Sequence, residues 1–175
     1  DKHPENNMAS GLYFMPVGKK SLATVILIHG WGRLSLDVEK KMARKLARNN
    51  IDCFLHILPF HFERAPDDSW SGEYSLTGNI IRTVEGTRQL VAEVSTVASW
   101  LRHQGKKVIM SGISLGGMLA QVAMDVEIYD GGIIIMTGGN NAGIIWNGIA
   151  TRYIKRDLIK AEICQETASR VYRVI

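Results

Sequence analysis

The sequence predicts an α/β fold, a three-layer sandwich around a mainly parallel sheet. Two observations carry this. Nearly unbroken apolar runs recur at 23–29 (ATVILIH), 51–60 (IDCFLHILPF), 106–112 (KKVIMSG) and 131–139 (GGIIIMTGG), as strands covered on both faces do. Between them, apolar residues repeat every three or four positions, the helical period. Strands alternating with helices imply parallel pairing through right-handed crossovers. The 175 residues fit one domain.

The elements follow in order. Residues 1–8 are expected to be disordered or extended. GLYFMPV (11–17) is a short strand, placed at an edge by Pro16. The run at 23–29 is a core strand ending in the turn GWG. Residues 36–50 form an amphipathic helix with Val38, Met42 and Leu46 inward and Ser35 as its cap. The strand at 51–60 leads into a long polar loop, 61–76, and loops of that length often serve function. A helix then runs to about Gln104, with Ile80, Ile81, Val84, Val91, Val94, Ala98 and Leu101 on its core side and Gly105 as its stop. The strand at 106–112, a helix at 114–125 with Leu115, Met118, Leu119 and Val122 inward, and the strand at 131–139 complete the pattern. A charged helix at 149–163 follows.

Composition narrows the function classes. Charge is mild, +4 overall, and the basic residues form no stripe interleaved with aromatics, so no nucleic-acid partner is expected. No apolar run reaches the length of a membrane span, and DKHPENNM lacks the pattern of a signal peptide. Cys53 and Cys164 are expected to be buried free thiols. No second cysteine pair or His-x-His spacing suggests a metal site, and no cofactor is implied. A nucleotide-binding domain is disfavoured, since neither G-x-G-x-x-G nor G-x-x-x-x-G-K-[ST] occurs at a strand end.

In such sheets ligands bind beyond the carboxyl ends of the strands. That rim carries His29-Gly30-Trp31, Phe60-His61, Gly112 to Ser114 and Thr137 to Asn141. Gly112-Ile113-Ser114-Leu115-Gly116 fits G-x-S-x-G. A serine there must take a strained backbone conformation to lift its hydroxyl off the sheet, and side chains two residues either side would collide. A backbone N–H after the first core strand and another just after the serine would together hold an oxyanion, which nominates Trp31 and Leu115. The indole of Trp31 stays free to pack as an apolar cover.

Strand–HGWG–helix, strand, helix, strand–GISLGG–helix, strand resembles the N-terminal and central part of the alpha/beta-hydrolase family, over most of residues 10–165. LPFHFERAP is also similar to a stretch of one hydrolase subgroup. The resemblance implies Ser114 as nucleophile, Trp31 and Leu115 as oxyanion donors, and hydrolysis of a small-molecule ester, thioester or amide through an acyl-enzyme. His61 and His29 become candidates for the substrate pocket, His29 chiefly as a brace of the oxyanion turn. Arg64 and Trp70 are loop candidates for substrate contact, and Asn140 and Asn141 read as turn residues.

The family places an acid and then a histidine after its serine. Here Asp125, Asp130 and Asp157 follow Ser114, but all five histidines precede it, at 3, 29, 56, 61 and 103. Three readings stay open. The chain is part of a longer one, with a truncated sheet whose bare edge favours self-association; or it is a non-catalytic binding module; or His61 is the base. Geometry disfavours the last, because two intervening strand spacings put it about 10 Å from Ser114.

Overall fold

A computed structural model describes residues 3–138, 140–149 and 151–171. Five strands form one sheet: β1 (Gly11–Phe14), β2 (Ala23–Ile28), β3 (Asp52–His56), β4 (Lys107–Ile113) and β5 (Gly131–Ile135), in the order β1-β3-β2-β4-β5. Only β1 runs antiparallel, against β3. The helices are α1 (Asp37–Arg48), α2 (Ile80–His103), α3 (Leu115–Val126), α4 (Asn141–Asn147), α5 (Arg152–Lys160) and α6 (Gln165–Val171).

Alternation along β2 builds the three layers. Ile26 and Ile28 point to one face and pack with Leu90, Val94, Ala98 and Leu101 of α2 and Ala120 and Ala123 of α3. Val25 and Leu27 point to the other and pack with Ala43, Met42 and Leu46 of α1. With both faces covered, β2 is buried almost throughout, which explains its unbroken apolar run. A third cluster, built on Ile145, Ile154, Leu158 and Ala168 of α4–α6, packs against Leu76, Ile80 and Trp31.

Several local expectations are corrected. Val38 of α1 faces solvent, while Glu39 is buried against Arg33; that partner turns a charged residue inward, which apolar periodicity cannot register. Ser35 does not cap α1, since its hydroxyl donates to Asp37 and Leu36 holds the cap position. The first turns of α2 bury Thr83 and Thr87 in place of Ile81, and Thr87 bonds back to the Thr83 carbonyl. Near the N-terminus, where residues 1–8 are expected to be disordered or extended, Pro4–Asn6 form a 3-10 turn, pinned by Asn6, whose side-chain oxygen accepts from Phe60 N–H at 3.0 Å. Cys164 is exposed, between α5 and α6; Cys53 is buried, and burial raises its thiol to about 12. The strands at 51–60 and 131–139 are shorter than their apolar runs, and positive φ at Phe60 and Met136 marks where the chain turns off the sheet.

Among the described residues, no helix is long and apolar enough to cross a membrane. None of them forms a cluster of His, Cys, Asp and Glu suited to a metal ion.

Candidate active site

The junction of β4 and α3 is a tight turn with Ser114 at its apex. Ser114 has φ 55° and ψ −119°, a conformation L-residues rarely adopt, and it is exposed. The flanking glycines make the turn possible. A methyl group on Gly112 would overlap the Gly116 carbonyl, and one on Gly116 would overlap the carbonyls of Ile28 and His29. A methyl on Gly117 would lie 2.9 Å from Thr137 Cβ, so the third glycine lets α3 approach the loop after β5. Ser114 N–H donates to the Ile135 carbonyl at 2.9 Å, tying the apex to β5.

Leu115 heads α3, and the first amides of a helix have no intrahelical acceptor. Its side chain is buried in the main core, so its N–H is held rigidly beside Ser114. The His29-Gly30-Trp31-Gly32 turn closes on the same place. A methyl on Gly30 would sit 3.5 Å from Ser114 Cβ. The Trp31 indole donates to the Gly72 carbonyl at 2.7 Å and stacks on Tyr153 of α5, ring centres 5.6 Å apart, with Trp70 at 5.5 Å. Trp31 therefore fastens the loop and the α4–α6 cluster over the rim. Tyr153 was not legible as a site residue, because its helix reads as charged surface; the one signal is an aromatic beside Ile154 on the apolar stripe.

His29 and His61 sit beneath the surface, both fully buried. Leu58 N–H donates to His29 Nε2, and His29 Nδ1–H donates to the Gly30 carbonyl at 2.7 Å. The ring thus spans the ends of β2 and β3 and braces the turn that carries Trp31. Burial, then the nearby His61, lowers its pKa to about 3. His61 packs edge-on against His29 at 4.9 Å, and Gly72, at φ +93°, covers its Nε2. Burial holds His61 near 4 despite its bond to the Pro59 carbonyl.

The other histidines are engaged elsewhere. His56 Nε2 lies 2.9 Å from Glu93, which also takes a two-pronged contact from Arg64 at 2.6 and 2.9 Å. Arg64 is buried, so its place is in the scaffold and not on substrate. Burial pushes the Glu93 carboxyl up, but hydrogen bonds from His56 and Arg64 outweigh it and hold it at about 2. His103 bonds to the Ser99 carbonyl, and His3 pairs with Glu5. Asp130 accepts from Val108 N–H at the opposite ends of the strands, Asp125 is an exposed residue of α3, and Asp157 lies beside Arg156. Asn140 caps α4 by accepting from Gly143 N–H; the Asn141 side chain lies outside the described residues. Three clefts formed by described residues all lie away from Ser114.

Sheet order, layering and the glycine-locked junction at Ser114 define the alpha/beta-hydrolase class. Solved structures of that fold match the chain. They include a monoglyceride lipase from Saccharomyces cerevisiae (16% identity, TM-score 0.50, 83% of this chain and 38% of the other). A phospholipase/carboxylesterase from Dyadobacter fermentans (17%, 0.53, 75% and 61%) and an acylaminoacyl peptidase from Pyrococcus horikoshii (12%, 0.59, 86% and 24%) also match. The chain belongs to the family "Alpha/beta hydrolase domain containing 18", whose model matches residues 12–167. No curated protein matches it. The chain spans 24 to 61% of the length of these three solved structures.

Proposed function

We propose that the chain carries the nucleophile and oxyanion site of a serine hydrolase acting on a small-molecule ester or thioester. The observation that supports this most is the strained, exposed Ser114 at the head of α3, in a turn that only glycine permits on either side. In this reading Ser114 Oγ attacks the carbonyl carbon and the hydroxyl proton passes to a base. The C=O electron pair moves to the oxygen, which the N–H groups of Trp31 and Leu115 hold. Collapse expels the alcohol or thiol, and water then cleaves the acyl-enzyme. A self-associating contact is proposed along the outer side of β5, which has no neighbouring strand among the described residues.

A second reading, a non-catalytic binding module, is favoured by one observation: the rings of His29, His56, His61 and His103 are all engaged away from Ser114. A fluorophosphonate probe separates the two. Labelling at Ser114 that disappears in Ser114→Ala supports the enzyme. An unreactive Ser114 supports the module. With no described histidine ring placed to take the Ser114 proton, the 175 residues are expected to turn over esters orders of magnitude more slowly than an intact triad, since a serine without a base retains only the contribution of oxyanion binding.

A further inference from the structure

The end of the sheet opposite Ser114 carries an uncompensated basic face with apolar side chains projecting from it. The connection between β1 and β2 puts Met15, Val17 and Leu22 into solvent, Val17 at 99% exposure. Beside it, α1 shows Lys41, Arg44, Lys45 and Arg48 on its outward side, at the i, i+3, i+4, i+7 spacing of one helical face. Lys19 and Lys20 add two more cations. Among the described residues none of these six enters an ion pair. The two acids of α1 lie in its first turn, at the other end of the helix from Arg48; Glu39 pairs with Arg33, and Asp37 keeps its charge while accepting from the Ser35 hydroxyl. A cleft of about 470 Å³ joins loop and helix, with Met15, Val17, Lys19, Arg44 and Arg48 in its walls and no acidic residue.

We propose that this face docks the chain on the surface of an anionic phospholipid bilayer. Met15 and Val17 enter the interfacial layer, while Lys19, Lys20 and the α1 cations meet the headgroups. Charge alone would equally suit a nucleic acid. Single-stranded nucleic-acid sites, however, pair their cations with exposed aromatic stacking platforms. Here the projecting residues are aliphatic, and the nearby Phe14 is half-buried with Arg44 lying over its ring. The residues at 15–22 precede β2 and Ser114 follows β4, so the docking face and the serine rim lie at opposite ends of parallel strands. The inference is therefore independent of whether Ser114 is reactive.

Co-sedimentation tests it, with vesicles of phosphatidylcholine alone or mixed in equal parts with phosphatidylserine. The chain is expected to partition at least about tenfold more strongly onto the mixed vesicles, and less so as salt rises. Arg44→Glu with Arg48→Glu should reduce that binding by about tenfold or more. Val17→Asp should also weaken it, and as Val17 is fully exposed the fold is untouched. Lys160→Glu on α5 should leave it unchanged. Equal partition onto both vesicles, partition onto neither, or anionic binding that survives both loop and helix variants overturns the proposal. Binding to single-stranded RNA, unaffected by Val17→Asp and without vesicle binding, overturns it in favour of a nucleic-acid site.

Discussion

Gly116 has no space for a methyl group, because the carbonyls of Ile28 and His29 occupy it. Gly116→Ala must push α3 away from β2, so a loss of about 2 kcal/mol is expected, read as a lower urea midpoint with unchanged slope. This glycine was legible from the sequence, because the motif is a steric rule that local spacing reveals. The buried state of His61 and Arg64 was not. Both sit in a loop with polar, turn-forming letters, and what buries them is packing that the loop's own letters do not display: Glu93 of α2 for Arg64, and for His61 the ring of His29 and the fold of the loop that brings Gly72 over it. Glu39 is a local case, where an ion pair with Arg33 overrides the apolar stripe that placed Val38 inward.

At the level of elements, α2 and the loop after β3 are joined by one buried polar network. Arg64 donates to Glu93, to the Ile57 carbonyl and to the Asn6 carbonyl, and Gln89 donates to both Asn6 and Glu93. Glu93→Ala would leave a buried guanidinium without its counter-charge, and a loss of about 3 kcal/mol is expected in thermal or urea unfolding. The N-terminal 3-10 turn should loosen with it, read as faster amide exchange at Phe60, whose N–H bonds to Asn6. The order of strands and long helices was readable, since each is long and strongly periodic. The three short helices α4–α6 were not, because their packing rests on Trp31, Leu76 and Ile80, which lie far upstream.

For the whole molecule, acid is expected to act early. His29 and His61 are neutral in the fold, with values near 3 and 4, against 6.5 for a free ring. The unfolded chain takes up these protons first, so stability is full above about pH 6.5 and declines as pH falls toward the folded values, by up to about 1.4 kcal/mol per pH unit for each ring. Glu93 adds to the decline below 4.5, since its folded value is about 2. Urea unfolding at about pH 7 and pH 5 measures the first step. The molecule's margin offers a second expectation. β5 has no charge and no proline, and Ile133 is half-exposed on it, features that favour edge pairing. Ile133→Lys should lower concentration-dependent association in analytical ultracentrifugation. Finally, because the first turn of α3 rests directly on the backbone at the end of β2, the serine bend and the tryptophan bend behave as a single solid piece. Neither can be retuned alone; if the chain acts as the proposed hydrolase, a change of substrate preference is expected to come from the described segments packed around Trp31, the 61–76 loop and α5, and not from the bends themselves.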